Sequence, residues 1–180
     1  MKTITNLCLI IAVAILLSSC AINHHYTPKP DTHPLDTITQ EFTSNKTLSL
    51  FNEQKDNSEQ LYYENWSGKQ RYHANYLTWT DVAIQILNRE LTARNATIDE
   101  SAEESIKLAI VNVSAIADTT TVESQIKLRV NLSNGYSASY SGINSVVFLG
   151  WDSKRQIDGA LMRAIAAMLS DPKVVDFLRE

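Results

Sequence analysis

Residues 122–140 read VESQIKLRVNLSNGYSASY, and the fold is decided here. Val122, Ser124, Ile126, Leu128, Val130 and Leu132 occupy alternate positions, with Glu123, Gln125, Lys127, Arg129 and Asn131 between them. Strand side chains point in turn to opposite faces, so this pattern predicts an antiparallel strand with one face on a core and one in water. Asn134-Gly135 then predicts a hairpin turn. Tyr136, Ala138 and Tyr140 open the return strand, expected to run past Gly142, read as a bulge or bend, toward Val146-Val147-Phe148-Leu149.

Upstream, residues 106–117 carry Ile106, Leu108 and Ile110 at one parity and Ala109, Val111 and Val113 at the other. A strand apolar on both faces is expected to be central or covered on both sides. Asp118-Thr119-Thr120 turns the chain into the next strand. Residues 47–51 alternate and predict a first strand, and residues 52–60 read as a loop. Asp99, Glu100, Glu103 and Glu104 read as a solvated connector rather than a metal cluster.

Two segments have helical spacing. Trp79, Val82, Ala83, Ile86, Leu87 and Leu91 form one apolar stripe and predict a helix over 78–94. Thr78 is the expected N-cap with Asp81 as its reciprocal partner, and Asn95 the expected left-handed residue at the C-terminal end. A second helix is predicted over 153–169, with Ser153 and Gln156 as a capping box. Its buried stripe is Ile157, Leu161, Ala164, Ile165 and Met168, with Arg163 opposite. Asp171-Pro172 opens a short terminal helix bearing Val174, Val175, Phe177 and Leu178. Helices segregated from a run of strands predict an α+β two-layer sandwich: a mainly antiparallel sheet with two long amphipathic helices packed on one face. The Lys127 and Arg129 face is left to solvent or to a partner.

Between these segments lies an aromatic-rich stretch. Tyr62, Tyr63, Trp66, Tyr72, Tyr76 and Trp79 are interleaved with Gly68, Lys69, Gln70, Arg71 and His73, which suits a hairpin or long loop. Aromatics fill cores and favour strands. They also dominate binding surfaces and stack on sugars. Both readings stand, and these six residues are the candidate partner-binding set.

The N-terminus carries the strongest local signal. Lys2 precedes an apolar run over 7–17, which ends in Leu17-Ser18-Ser19-Cys20. The run is roughly ten residues, too short for a spanning helix of about twenty, and the layout is that of a secretory signal peptide. The tetrapeptide resembles the bacterial lipobox, which implies cleavage before Cys20 and lipidation of Cys20. The alternative is a secreted protein whose cysteine is coincidental. Ala21 rather than Asp after the cysteine implies sorting to the outer membrane, on the pattern of enteric lipoproteins.

The expected organisation is a signal peptide over 1–19, a lipidated N-terminus and flexible tether over 20–40, and a single periplasmic domain over 41–180. Pro28, Pro30 and Pro34 punctuate the tether, whose twenty or so residues reach about 60–70 Å when extended. His24, His25 and His33 lie in it and read as linker residues in preference to metal ligands. The mature chain of about 160 residues suffices for one core. Cys8 and Cys20 are the two cysteines, so no disulfide is expected in the mature domain. The formal net charge of −4, with no basic cluster, argues against nucleic acid as partner.

Catalytic patterns are missing from the sequence: no Gly-x-Ser-x-Gly elbow, no phosphate-cradling glycine loop and no His-Glu-x-x-His. Ser124 and Lys127 match Ser-x-x-Lys, but strand alternation sends them to opposite faces. His73, read as the sole histidine of the folded domain, has no nucleophile assignable to it. No catalytic residue, cofactor or metal is expected.

The layout of lipobox, proline-bearing tether, early strand, amphipathic helix, antiparallel run and final helix resembles the YajG-type outer-membrane lipoproteins. Glu90-Leu91-Thr92-Ala93-Arg94 and Leu169-Ser170-Asp171-Pro172, followed by Phe177-Leu178, carry the likeness in detail. The resemblance implies outer-membrane location and no enzymatic activity. Tyr72, Tyr76 and Trp79 leading into the helix are also similar to auxiliary lipoproteins of envelope ABC systems for lipid transport. Two functions are therefore expected: a non-enzymatic outer-membrane lipoprotein presenting its domain to an envelope protein or peptidoglycan, or an auxiliary subunit of a transenvelope lipid transporter.

Overall fold

The computed structural model describes residues 21–29, 41–118, 120–147 and 153–179, the side chains of 153–155 excepted. Cys20 and the signal segment, Pro30, His33, Pro34, Thr119, Phe148, Leu149 and the Ser153 side chain lie outside that description. The strands are β1 (Ile22–His25), β2 (Thr47–Asn52), β3 (Glu59–Glu64), β4 (Gln70–Asn75), β5 (Thr97–Ile98), β6 (Ser105–Ala117), β7 (Thr121–Leu132) and β8 (Ser137–Val147). The helices are α1 (Tyr76–Thr92), α2 (Ser153–Leu169) and α3 (Pro172–Arg179).

The class is α+β, as expected, but the architecture differs from a simple two-layer sandwich. Among the described residues a curled sheet and three helices are present, with the strands in two mixed sheets. The larger sheet has the order β5-β2-β6-β7-β8, and the smaller has the order β1-β4-β3. β2 runs parallel to both β5 and β6, and β1 runs parallel to β4. The β6-β7-β8 meander and the β3-β4 hairpin are antiparallel.

The meander follows its sequence closely. Every inward position of β7 from Val122 to Leu132 is buried, while Glu123, Lys127 and Arg129 are exposed. The turn after it is a three-residue loop: Leu132 and Tyr136 pair, the Gly135 N–H donates to Leu132 O at 3.0 Å, and Gly135 has φ +89°. This is a turn closed by a glycine bulge, a common hairpin geometry.

Strand β6 departs from strict alternation. Its register against β7 shifts between Ile110 and Asn112, a bulge centred on Val111. One extra residue reverses the parity beyond it. Val113 therefore joins Ile106, Leu108 and Ile110 in the core, whereas simple alternation placed it opposite them. The outer face is not covered throughout: Lys107 and Val111 are exposed, although Ala109 is buried.

Helix α1 packs on β2 and β6, and α2 on β7 and β8. The expected stripe of α1 is buried in full. Its N-cap is Asn75 rather than Thr78, because β4 delivers Asn75 in extended conformation and its Oδ1 accepts the Thr78 N–H at 2.9 Å. Asp81, the expected capping partner, instead accepts from Asn52 Nδ2 at 2.6 Å. The C-terminus ends as expected on left-handed Asn95, φ +70°. Asn95 N–H donates to Thr92 O and Ala96 N–H to Leu91 O, the paired bonds of a Schellman motif.

Gly142 needs a different explanation from the expected bulge. β7 and β8 keep register through the Ile126–Gly142 pair. A Cβ on Gly142 would run into the backbone of α2 at Ala160 and Ala164. The glycine is there so that helix and sheet can approach, the other use of glycine in a strand. The α2 stripe Ile157, Leu161, Ala164, Ile165 and Met168 is fully buried on this contact. Asp171 starts α3 by accepting the Lys173 N–H at 2.8 Å, and Val174, Val175, Phe177 and Leu178 close the core.

Candidate functional site

The aromatic stretch becomes the small sheet and the first turn of α1, and the structure separates its six candidates. Tyr62, Tyr72 and Trp79 are buried in the core cluster. Tyr62 lies where the β3–β4 register shifts between Leu61 and Tyr63, which turns it inward. Its ring meets Tyr72 at 6.3 Å and Trp79 at 5.7 Å, tilted or edge-on, the favourable arrangement for aromatic pairs. Burial pushes the Tyr62 hydroxyl above its ordinary range. Tyr63 is half-buried and tilted against Tyr72 at 5.6 Å.

Tyr76 is occupied by backbone. Past Leu108 the β2 side of β6 has no strand partner among the described residues, since β2 ends at Asn52 opposite Leu108. Three side chains cover that edge. Thr80 Oγ1 accepts the Ile110 N–H at 3.0 Å, Gln54 Nε2 donates to Ile110 O at 2.8 Å, and Tyr76 Oη accepts the Val113 N–H at 3.0 Å. Unpaired strand edges must be satisfied or blunted, so Tyr76 has a structural use here.

The sequence reading missed strand β1. Residues 21–29 were expected to be tether, yet Ile22–His25 pairs in parallel with β4. His24 stacks on Tyr72 at 4.5 Å and meets Gln70 Oε1 at 2.8 Å. His25 stacks on His73 at 5.4 Å, and the His73 Nε2 lies 3.2 Å from Asn23 Oδ1. His73 is thus one of three histidines among the described residues, beside His24 and His25 in β1. Trp79 Nε1–H donates to Tyr26 O at 2.7 Å, and Pro28 is buried. No signal in Ile22-Asn23-His24-His25 announces this: a short parallel strand is held by backbone bonds, and its residues show no apolar alternation.

Trp66 is the exception among the six. It is 99% exposed at the tip of the β3–β4 hairpin. The tip is rigid. Gly68 has φ +66° and donates its N–H to Asn65 O at 2.8 Å. Asn65 Oδ1 accepts the Lys69 N–H at 3.0 Å and the Gln70 N–H at 3.1 Å. The turn presents an indole with no intramolecular packing, and this is the candidate contact site.

Two carboxylates of the acidic connector have structural partners. Glu104 pairs with Lys46 at 2.7 Å, and Asp99 Oδ1 accepts from the Ser101 N–H and hydroxyl. Ser124 is buried while Lys127 is exposed on the opposite face. Among the described residues, no three His, Cys, Asp or Glu side chains are grouped to hold a metal. No family model matches the chain, and no curated protein is significantly similar to it.

Proposed function

We propose that the chain is a non-enzymatic outer-membrane lipoprotein, anchored through Cys20 and presenting its α+β domain to an envelope partner, either a protein or peptidoglycan. One observation carries this: Leu17-Ser18-Ser19-Cys20 closes an apolar run preceded by Lys2. A lipid chain contributes about 0.8 kcal/mol per buried CH₂, and more than one chain is needed for stable anchoring. Among the described residues no helix is long and apolar enough to cross a membrane, which is compatible with lipid as the anchor. The YajG-type likeness points the same way. The transport-auxiliary alternative drew on Tyr72, Tyr76 and Trp79, and the engagement of those three in packing and edge-capping leaves it without a contact surface there.

The test is Cys20→Ser expressed from the full chain, with membrane fractionation and mass spectrometry of the mature N-terminus. Acylated Cys20 in wild type and a soluble or unprocessed variant are expected. An unmodified N-terminus, or a variant that is cleaved and still found in the outer-membrane fraction like wild type, overturns the proposal.

A further inference from the structure

The order of residues 22–25 changes what an anchor at Cys20 would do. A twenty-residue tether would let the domain stand tens of ångströms from the bilayer. The structure instead has the chain docked by Ile22, whose N–H donates to Lys69 O at 2.7 Å. Ile22 pairs with Gln70 at the hairpin-tip end of β4. Two Cα–Cα steps separate Cys20 from Ile22, a span of at most about 7.6 Å.

The same end of the sheet carries the unexplained exposure. Trp66 is 99% exposed and Ile22 is 55% exposed, with Lys69 also in solvent. The headgroup zone on each side of a bilayer is roughly 5–8 Å deep. Tryptophan is enriched in that zone because its ring is apolar and its N–H is polar.

We propose that the β3–β4 hairpin tip, with Trp66 as its anchor, is a membrane-surface contact that seats in the headgroup layer of the same bilayer that holds the acyl chains of Cys20. The inference rests on the lipid anchor proposed above. It commits to lipid as the occupant because the docked strand leaves too little chain between Cys20 and the tip for a protein to intervene. The domain then lies against the membrane in one orientation, with the β3–β4 hairpin tip toward the bilayer.

The experiment uses the full acylated protein in phosphatidylethanolamine–phosphatidylglycerol vesicles, with and without lipids brominated on the acyl chain. Subtracting the fluorescence of Trp66→Phe isolates the Trp66 signal from the other tryptophans. Circular dichroism checks that the variant folds. Bromolipid is expected to quench that signal, because the indole sits at the headgroup level beside the acyl chains, while aqueous iodide removes little. A Gly/Ser segment of about twenty residues inserted between Cys20 and Ala21 lets the domain drift about 25 Å. It should restore iodide access and abolish the bromolipid effect. Acylated protein whose Trp66 is quenched by iodide and not by bromolipid overturns this proposal alone. Shielding of Trp66 that requires an added envelope protein also overturns it. Unacylated Cys20 in the same sample overturns the anchor and the contact together.

Discussion

The Tyr26 hydroxyl donates to Asp158 Oδ2 at 2.7 Å, joining residues 132 positions apart. Tyr26 also receives the Trp79 indole N–H on its carbonyl and meets that ring edge-on at 6.4 Å. One residue of the expected tether thereby links the small sheet, α1 and α2. Asp158 is buried, and a hydrogen bond to a buried carboxyl group is among the stronger ones in a protein. Tyr26→Phe should therefore lower the unfolding free energy by about 1–3 kcal/mol. Urea denaturation should show a lower midpoint with an unchanged slope, and an unshifted midpoint would mean that the N-terminal segment adds nothing to the core.

The close approach at Gly142 sets a second expectation. Gly142→Ala drives a methyl group into the α2 backbone, and overpacking of this kind costs about 1–3 kcal/mol or more. Gly135→Ala meets no atom within 4 Å but must hold φ +89°, which costs about 1–2 kcal/mol. Thermal melts should rank Gly142→Ala as the worse of the two. The reverse order would show that α2 can shift away from β8 at little cost.

The open edge of β6 provides a third. Thr80→Val keeps the shape and removes the acceptor for the buried Ile110 N–H. An orphaned buried donor costs about 1–3 kcal/mol. Thr80→Ser retains the hydroxyl and should recover most of that loss. Native-state hydrogen exchange at Ile110 should quicken in the valine variant and stay slow in the serine one.

The pH dependence follows from three groups around the hairpin and small sheet. Burial, with hydrogen bonds to Tyr136 and Asp171, raises the Tyr140 hydroxyl, and burial raises that of Tyr62. Burial alone would raise the Asp171 carboxyl, but donors from Tyr140, the Lys173 N–H and Tyr136 outweigh it and hold it below its ordinary value. Unfolded tyrosines ionise near pH 10 and unfolded aspartates near about 3.9. The tyrosine contribution is therefore complete below about pH 10 and is lost as pH rises toward the higher folded values. The Asp171 contribution is complete above the unfolded carboxyl value and is lost as pH falls through the lower folded one. Stability measured by denaturant titration across pH should be level near neutrality and fall at both ends. Tyr140→Phe should soften both falls, and a variant with an unaltered profile would refute the assignment.

Legibility from sequence varied with the kind of interaction. The β7 strand and the α2 stripe were readable residue by residue, because burial of one face imposes a period of two or of 3.6. Asn75 was missed as the cap because the expected helix began two residues late, and Val113 was placed on the wrong face because no residue type announces the bulge at Val111. The candidate site was legible only as a composition. Six aromatics stood out, but which of them pack and which one is exposed depended on the β3 register and on the unpaired edge of β6.

By itself the chain determined its periodic elements and its apolar faces, since each of these is written in neighbouring residues. The tertiary structure alone decided that Ile22–His25 is a strand, that Gly142 makes room for α2, and that Trp66 stands clear of the core. Those outcomes rest on backbone pairing and steric approach between segments tens of residues apart, and no local pattern of side chains encodes them.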